Sequence, residues 1–514
     1  MTTASNRNHP YKLENNNILM IDISIYFLDK PHFDHHDWQK YLYGLRIFIK
    51  IRIKININDF NTISHGRKPK MINKKLKLVT ALGCAMGIAA PASVFATNGM
   101  FLIAPGTKSR GMGGVAITQS HDVITSAVNP ATMAELKTNR FDMGGDILIV
   151  NSEASMGESP YDYTEKSTPD HMALAEGIYM MPALGASWTQ GDISYGFTMV
   201  PVGGGGSRYD YNLYNCANDS PTDCNNKMGV SLMIMNINPT IAYKINDKHS
   251  VGATLVIGLQ VFKSYGLDKF NAFADEAKVL AGTVKLSDQG TDISYGAGIR
   301  LGWLGHFMDN KLTVGAEYTS KTYMTEFEDY EDLFAEQGDL DTPGNIGLGI
   351  AYDINKDLSI ALDVNYIMYE DVASIANATT TIGGANYSTA FPVDRETNYL
   401  GADEGLGFNW KNQTAYKIGL VYQYDPKWTL RGGWNYAKSP LDEQTDILFS
   451  MVAPAITQHH LTMGATYQWD QDMEFSFSYI HAFEYEQNGP TYINTTGGFT
   501  MAMDAIGASL GVKF

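Results

Sequence analysis

The chain has 514 residues, 18% of them charged, with 49 glycines, 30 tyrosines and a net charge of −17. Soluble multidomain chains carry about 25% charged residues, and the mean hydropathy is close to neutral at −0.18. Fourteen Lys or Arg against six Asp or Glu in residues 1–96 leave +8 there and −25 on the rest, which excludes a general nucleic-acid surface and predicts acidic, solvated loops.

Residues 1–70 are rich in Ile, Asn, Lys and His and read as a mis-assigned upstream extension, with Met71 as the true start. Residues 71–96, "MINKKLKLVTALGCAMGIAAPASVFA", have the build of a secretory signal peptide. Lys74, Lys75 and Lys77 precede an apolar run from Leu78 to Ala90, and Val94 and Ala96 supply the small residues of a cleavage site after Ala96. With Cys84 inside that leader, Cys216 and Cys224 remain as a close pair in one polar loop. In an exported protein this pair is expected as a disulfide, with two free thiols as the alternative.

Residues 97–140 follow, apolar and rich in glycine. They suit neither a strand pair nor a disordered tail and are expected to fold into a lumen as a plug, or hatch.

From 141 to 514 the chain repeats one unit, an alternating segment and then a connection. In "SVGATLVIGLQVF", Val251, Ala253, Leu255, Ile257, Leu259 and Val261 share one face and Thr254, Gly258 and Gln260 the other. Fourteen such segments begin near 141, 176, 192, 230, 249, 291, 310, 343, 356, 412, 427, 458, 472 and 500. Their connections alternate between short polar turns such as "TQGD", "NDKH" and "DPKW" and long excursions such as 203–229 and 369–411. No apolar run in the body is long enough for a membrane helix. The fold class is therefore all-β, a transmembrane antiparallel barrel of about 14 strands with the hatch inside. This is the pattern of outer-membrane barrels of Gram-negative bacteria.

Alternation places Arg300, Glu317, Lys321, Asp363, Lys417, Arg431 and Glu474 on the lumen side. Such charges ordinarily pair with one another, but Arg300, Lys321 and Arg431 are candidates to meet a ligand carboxylate. No nucleophile motif accompanies His459 and His460, so no enzyme activity and no catalytic residue is expected. No cofactor and no metal site is expected either.

"GTKSRGMGG" (Gly106–Gly114), "NPA" (Asn129–Ala131), fourteen strands and the terminal Phe514 together resemble the FadL family of outer-membrane channels for long-chain fatty acids and aromatic hydrocarbons, over Thr97–Phe514. The resemblance implies passive uptake of a hydrophobic small molecule, most simply a long-chain fatty acid. Cargo is captured at external loops, bound inside the barrel and released laterally through a kinked third strand. Pro201 and Gly203–Gly206 would break the ladder there. It implies that Asn129 anchors the hatch, Pro130 fixes its turn, Ala131 completes the tripeptide, and Met100, Phe101 and Leu102 contact the ligand. The implied partners are outer-membrane lipid and lipopolysaccharide, and the barrel-assembly machinery that reads the C-terminal strand. The implied state is a monomer. An aromatic-hydrocarbon member of the family and a general porin for small polar solutes are the alternatives.

Overall fold

The computed structural model describes residues 20–27, 47–54, 98–156, 163–166, 178–216, 226–378, 399–441, 449–490 and 496–514. Cys224 lies outside them, and Cys216 closes a short helix, Leu213–Cys216, whose last side chains are also outside them. The chain divides into two units, Met1–Thr80 and Ala81–Phe514. In the first, Met20–Phe27 and Ile47–Lys54 form an antiparallel pair.

The second unit is a closed antiparallel barrel. Its strands are β1 (Arg140–Met156), β2 (Ile178–Gln190), β3 (Ile193–Tyr209), β4 (Met228–Asn246), β5 (His249–Tyr265), β6 (Asp292–Phe307) and β7 (Leu312–Thr319). They continue with β8 (Asn345–Asp353), β9 (Leu358–Ile367), β10 (Gln413–Gln423), β11 (Trp428–Ala437), β12 (His459–Gln468), β13 (Met473–Pro490) and β14 (Thr496–Lys513). Each pairs with the next, and β14 returns to β1 from Gly497–Met156 to Lys513–Arg140, so the ring has no free edge. Every strand begins within four residues of the position that alternation assigns it.

Side-chain placement follows the period of two. On β5 Leu255, Ile257 and Leu259 face outward while Thr254, Val256 and Gln260 are buried. On β4 Ile237 and Ile241 face outward while Asn236, Asn238 and Thr240 are buried. An apolar exterior with a polar interior inverts the soluble arrangement and suits lipid. No helix among the described residues is long and apolar enough to cross a membrane.

Four of the short turns share one device. Asn246, Asn355, Asp425 and Asp470 each accept, through Oδ1, the amides two and three residues on, closing the hairpin with a side chain. Trp428 packs on Tyr467 at 4.9 Å, and Tyr467 on Trp469, forming part of an aromatic girdle at this end. At the opposite end the long loops fold inward over a large apolar cluster that includes Phe262, Phe270, Phe327, Tyr330, Phe334, Tyr369 and Trp410.

Residues 98–139 pack against strands all round the ring. The helix Thr107–Arg110 touches β12, β13, β14 and β1, and the turn Pro130–Glu135 touches β3, β4, β5 and β6. This segment is almost wholly buried.

Candidate functional site

The N-terminal segment is held by charges that point into the lumen. Asp363 Oδ2 on β9 accepts the amides of Ala116 (2.7 Å) and Ile117 (2.9 Å). Asp142 Oδ2 on β1 accepts Val123 N at 2.9 Å. Lys417 Nζ on β10 donates to Ile103 O at 2.8 Å, and Arg300 Nη1 on β6 donates to Ala127 O. Glu474 on β13 takes ion pairs from Lys108 of the segment and from Arg140 on β1, while Arg110 pairs with Asp146. A short irregular peptide cannot bury its amides and carbonyls unpaired, so the wall supplies the partners that a helix or sheet would.

Asn129 caps the turn Pro130–Glu135. Its Oδ1 accepts Ala131 N at 3.0 Å, and its Nδ2 donates to Ile117 O (2.8 Å) and Trp303 O (3.2 Å). Pro130 occupies the first position, where its missing N–H costs nothing. The turn lies directly on the wall at Gly252 and Gly302, where a Cβ would overlap Pro130 and Asn129 respectively.

At its start the segment makes a tight turn, Asn98–Phe101, closed by Asn98 N to Phe101 O (2.8 Å) and the reverse bond (3.1 Å). Tyr369, from the loop after β9, pins it: Oη donates to Asn98 O at 2.6 Å and accepts Met100 N at 3.0 Å, and the ring stacks on Phe101 at 6.0 Å. Gly99 has φ +60°, and a Cβ there would collide with the Tyr369 ring and hydroxyl.

This turn meets the barrel at an interruption in the wall. The β2–β3 ladder ends at Leu184–Met199, and the register of β3 with β4 shifts between Pro201 and Gly203. Just beyond, β3 bonds the N-terminal turn instead: Leu102 N donates to Val202 O (3.0 Å) and Gly204 N to Met100 O (2.9 Å). The ladder between β3 and β4 continues to Tyr209. The Pro-Val-Gly sequence thus interrupts one side of the strand and leaves the other paired.

Two cavities flank the turn. Toward the long loops lies one with about 90 Å³ of free space. Met100, Gly204 and Gly205, Val230, Leu232 and Phe262 line it together with loop residues that include Phe334, Ile375, Leu406, Phe408, Trp410 and Phe449, and among the described residues no charged one takes part. On the other side lies a polar cavity of about 100 Å³ lined by Phe101, Leu102, Asn236, Arg300, Glu317, Asn365 and Lys417 among others. There Glu317 accepts from Asn365 Nδ2 (3.2 Å) and Thr319 Oγ1 (3.1 Å), and Arg300 Nε donates to Thr319 Oγ1 (2.8 Å).

Of the residues singled out in the sequence, Met100 lines the apolar cavity, and Phe101, Leu102 and Arg300 line the polar one. Lys321 lies past the end of β7, bonded to Asp341 at 2.8 Å and seated over Tyr323; it lines neither cavity. Arg431 also lines neither, donating to Thr466 Oγ1 at 2.7 Å. Sequence reasoning missed Tyr369 and Trp410, which sit in a long loop outside any periodic pattern. It also missed Asp142 and Asp146, although both share the lumen parity of β1.

The family model described as outer membrane protein transport protein (OMPP1/FadL/TodX) matches residues 85–514. The barrel is similar to the P. putida toluene transporter TodX, with a TM-score of 0.60, 18% identity, and 80% of this chain and 99% of that one covered. It is similar to the Ralstonia pickettii toluene transporter TbuX, with a TM-score of 0.53, 19% identity and coverage of 80% and 99%. A Pseudomonas aeruginosa FadL homologue matches with a TM-score of 0.57, 14% identity and coverage of 83% and 100%. No curated protein sequence matches the chain.

Proposed function

Starting from the fact that this chain belongs to the OMPP1/FadL/TodX family of Gram-negative outer-membrane transport barrels, we propose that its cargo is a neutral, compact hydrophobic molecule of single-ring size. The protein is a channel for hydrophobic compounds and not an enzyme. The observation that carries the choice of cargo is the lining of the apolar cavity, which among the described residues holds no charged side chain. An ionised carboxylate buried there would lose its water and gain no counter-charge. Size argues the same way. An engineered apolar cavity of about 150 Å³ holds benzene, so 90 Å³ admits a single ring as flexible side chains such as Met100 shift.

Arg300 and Lys417 in the polar cavity favour the fatty-acid reading. They are offset by Glu317 beside them and by Asp363, the cross-strand partner of Lys417, and both cations already bond carbonyls of the N-terminal segment. The cluster therefore offers an incoming anion little net attraction.

Cargo enters among the long external loops and transfers to the apolar cavity. Enclosing a ring of about 200 Å² is worth ~5 kcal/mol before immobilisation costs, which gives weak, readily reversed binding. Met100–Leu102 then draws back from Val202–Gly204, and the cargo leaves sideways where β3 parts from β2. Residues 98–139 serve as the hatch that keeps the lumen closed to polar solutes. The gradient alone drives the passage.

The test is equilibrium binding of toluene and of palmitate to the purified full-length barrel in detergent, for the wild type and for Arg300→Ala and Lys417→Ala. Saturable toluene binding indifferent to both substitutions is expected. Tighter palmitate binding that either substitution weakens would establish the fatty-acid channel instead.

A further inference from the structure

Among the described residues that line the apolar cavity, two side chains carry nitrogen or oxygen, Ser374 and Trp410. The Ser374 hydroxyl donates to Asp339 O, so its proton is committed. Trp410 differs. Its backbone amide bonds Ile375 O at 3.1 Å, yet its indole Nε1–H has no acceptor although the residue is only 5% exposed. Buried indole N–H groups ordinarily find a partner, and one that has none calls for an explanation.

Among the described residues the surroundings offer no partner. The indole stands perpendicular to the Tyr369 ring at 5.3 Å and packs on Phe408 at 5.8 Å. The Tyr369 hydroxyl is engaged by Asn98 and Met100. Among the described residues the cavity wall thus combines aromatic and aliphatic side chains with an indole whose buried N–H is uncommitted, and it includes no cation. A pure hydrocarbon leaves that donor unpaired, and a carboxylate is desolvated against a single neutral N–H. An apolar molecule with one neutral acceptor satisfies the site.

We infer that Trp410 is a specificity-determining residue, and that the preferred cargo is an apolar ring bearing one uncharged oxygen or nitrogen acceptor, such as an aryl ketone, ester or nitrile. This rests on the reading of the apolar cavity as the cargo site.

Acetophenone and ethylbenzene test it, since they have nearly the same shape and differ by a carbonyl in place of a methylene. Their affinities for the full-length barrel are measured by calorimetry for the wild type and for Trp410→Phe. Loss of one hydrogen bond is expected to weaken acetophenone about five- to tenfold and ethylbenzene less than twofold. Independently of any substitution, acetophenone is expected to shift the Trp410 indole N–H resonance of the ¹⁵N-Trp-labelled wild type downfield, and ethylbenzene is not. Equal weakening of both ligands, or no weakening with an unmoved resonance, overturns the inference and assigns the N–H to the face of the Tyr369 ring. If neither ligand binds the wild type, the cavity is not the cargo site and the reading beneath the inference fails with it.

Discussion

Replacing Tyr369 by Phe should free the N-terminal turn while leaving its packing in place. The ring that stacks on Phe101 and the perpendicular contact with Trp410 survive the substitution, and only the hydroxyl is lost. That hydroxyl makes two buried bonds. Asn98 O keeps a second donor, Phe101 N, so it stays satisfied, whereas Met100 N–H is left without a partner. One lost bond costs about 1 kcal/mol and one orphaned buried amide about 1–3, so the closed turn weakens by roughly 2–4 kcal/mol. The population with the turn detached then rises about 30- to 700-fold, although the two backbone bonds to Val202 and Gly204 still resist it. Hydrogen exchange of the amides from Asn98 to Ala104 reads this directly, and initial toluene uptake into proteoliposomes reads its consequence. Faster exchange confined to this stretch, with faster uptake, is expected. Protection within twofold of the wild type in a folded barrel would refute the view that Tyr369 pins the turn.

Gly302→Ala sets a methyl against the Asn129 amide. It should cost about 1–3 kcal/mol in the seating of residues 117–135 and admit small sugars in a liposome-swelling assay, while the barrel keeps its heat-modifiable migration. In the external loop after β7, burial and then the neighbouring Asp341 carboxylate push Asp339 up to about 7. A folded pKa above the unfolded value means that its contribution to loop stability is complete below about pH 4 and is lost as the pH rises through about 7. Amides from Phe334 to Leu340, corrected for intrinsic exchange, should be better protected at pH 5 than at pH 8, and Asp339→Asn should remove the difference.

Period-two alternation is a strong signal when every strand has one face in lipid and one in a polar lumen, so the barrel was legible strand by strand. A one-residue slip in β5 would put Leu255 inside and Thr254 into lipid. The same alternation found Arg300, Glu317, Asp363 and Lys417, but it carries no depth along the strand. It could not place Arg300 and Lys417 beside a cavity while leaving Arg431 away from both. Lys321 escaped because β7 stops at Thr319, two residues before it. Tyr369 and Trp410 are invisible to pattern reading, since a loop residue's role depends on which distant segment folds against it. Here that segment lies 269 residues earlier, at Met100.

The lumen charges do work different from the one their sequence suggests. A cation inside a hydrophobic-compound channel invites the thought of a carboxylate cargo. Yet Lys417, Arg300, Asp363 and Asp142 all spend hydrogen bonds on the backbone of residues 98–139. This division follows from the physics of closing a wide barrel with a short peptide. Such a peptide lacks the length to pair its own amides and carbonyls, so the wall must do it, and charged partners do it most strongly. The cavity proposed for the cargo is lined by no charged residue among the described ones; loops that meet over Met100 form it together with β4, β5 and β3, whose ladder with β2 ends at Met199. Retention of the segment and the proposed passage of cargo thus fall to different chemistries. The turn Asn98–Phe101 is where they touch, bonded to β3 on one side and to Tyr369 on the other.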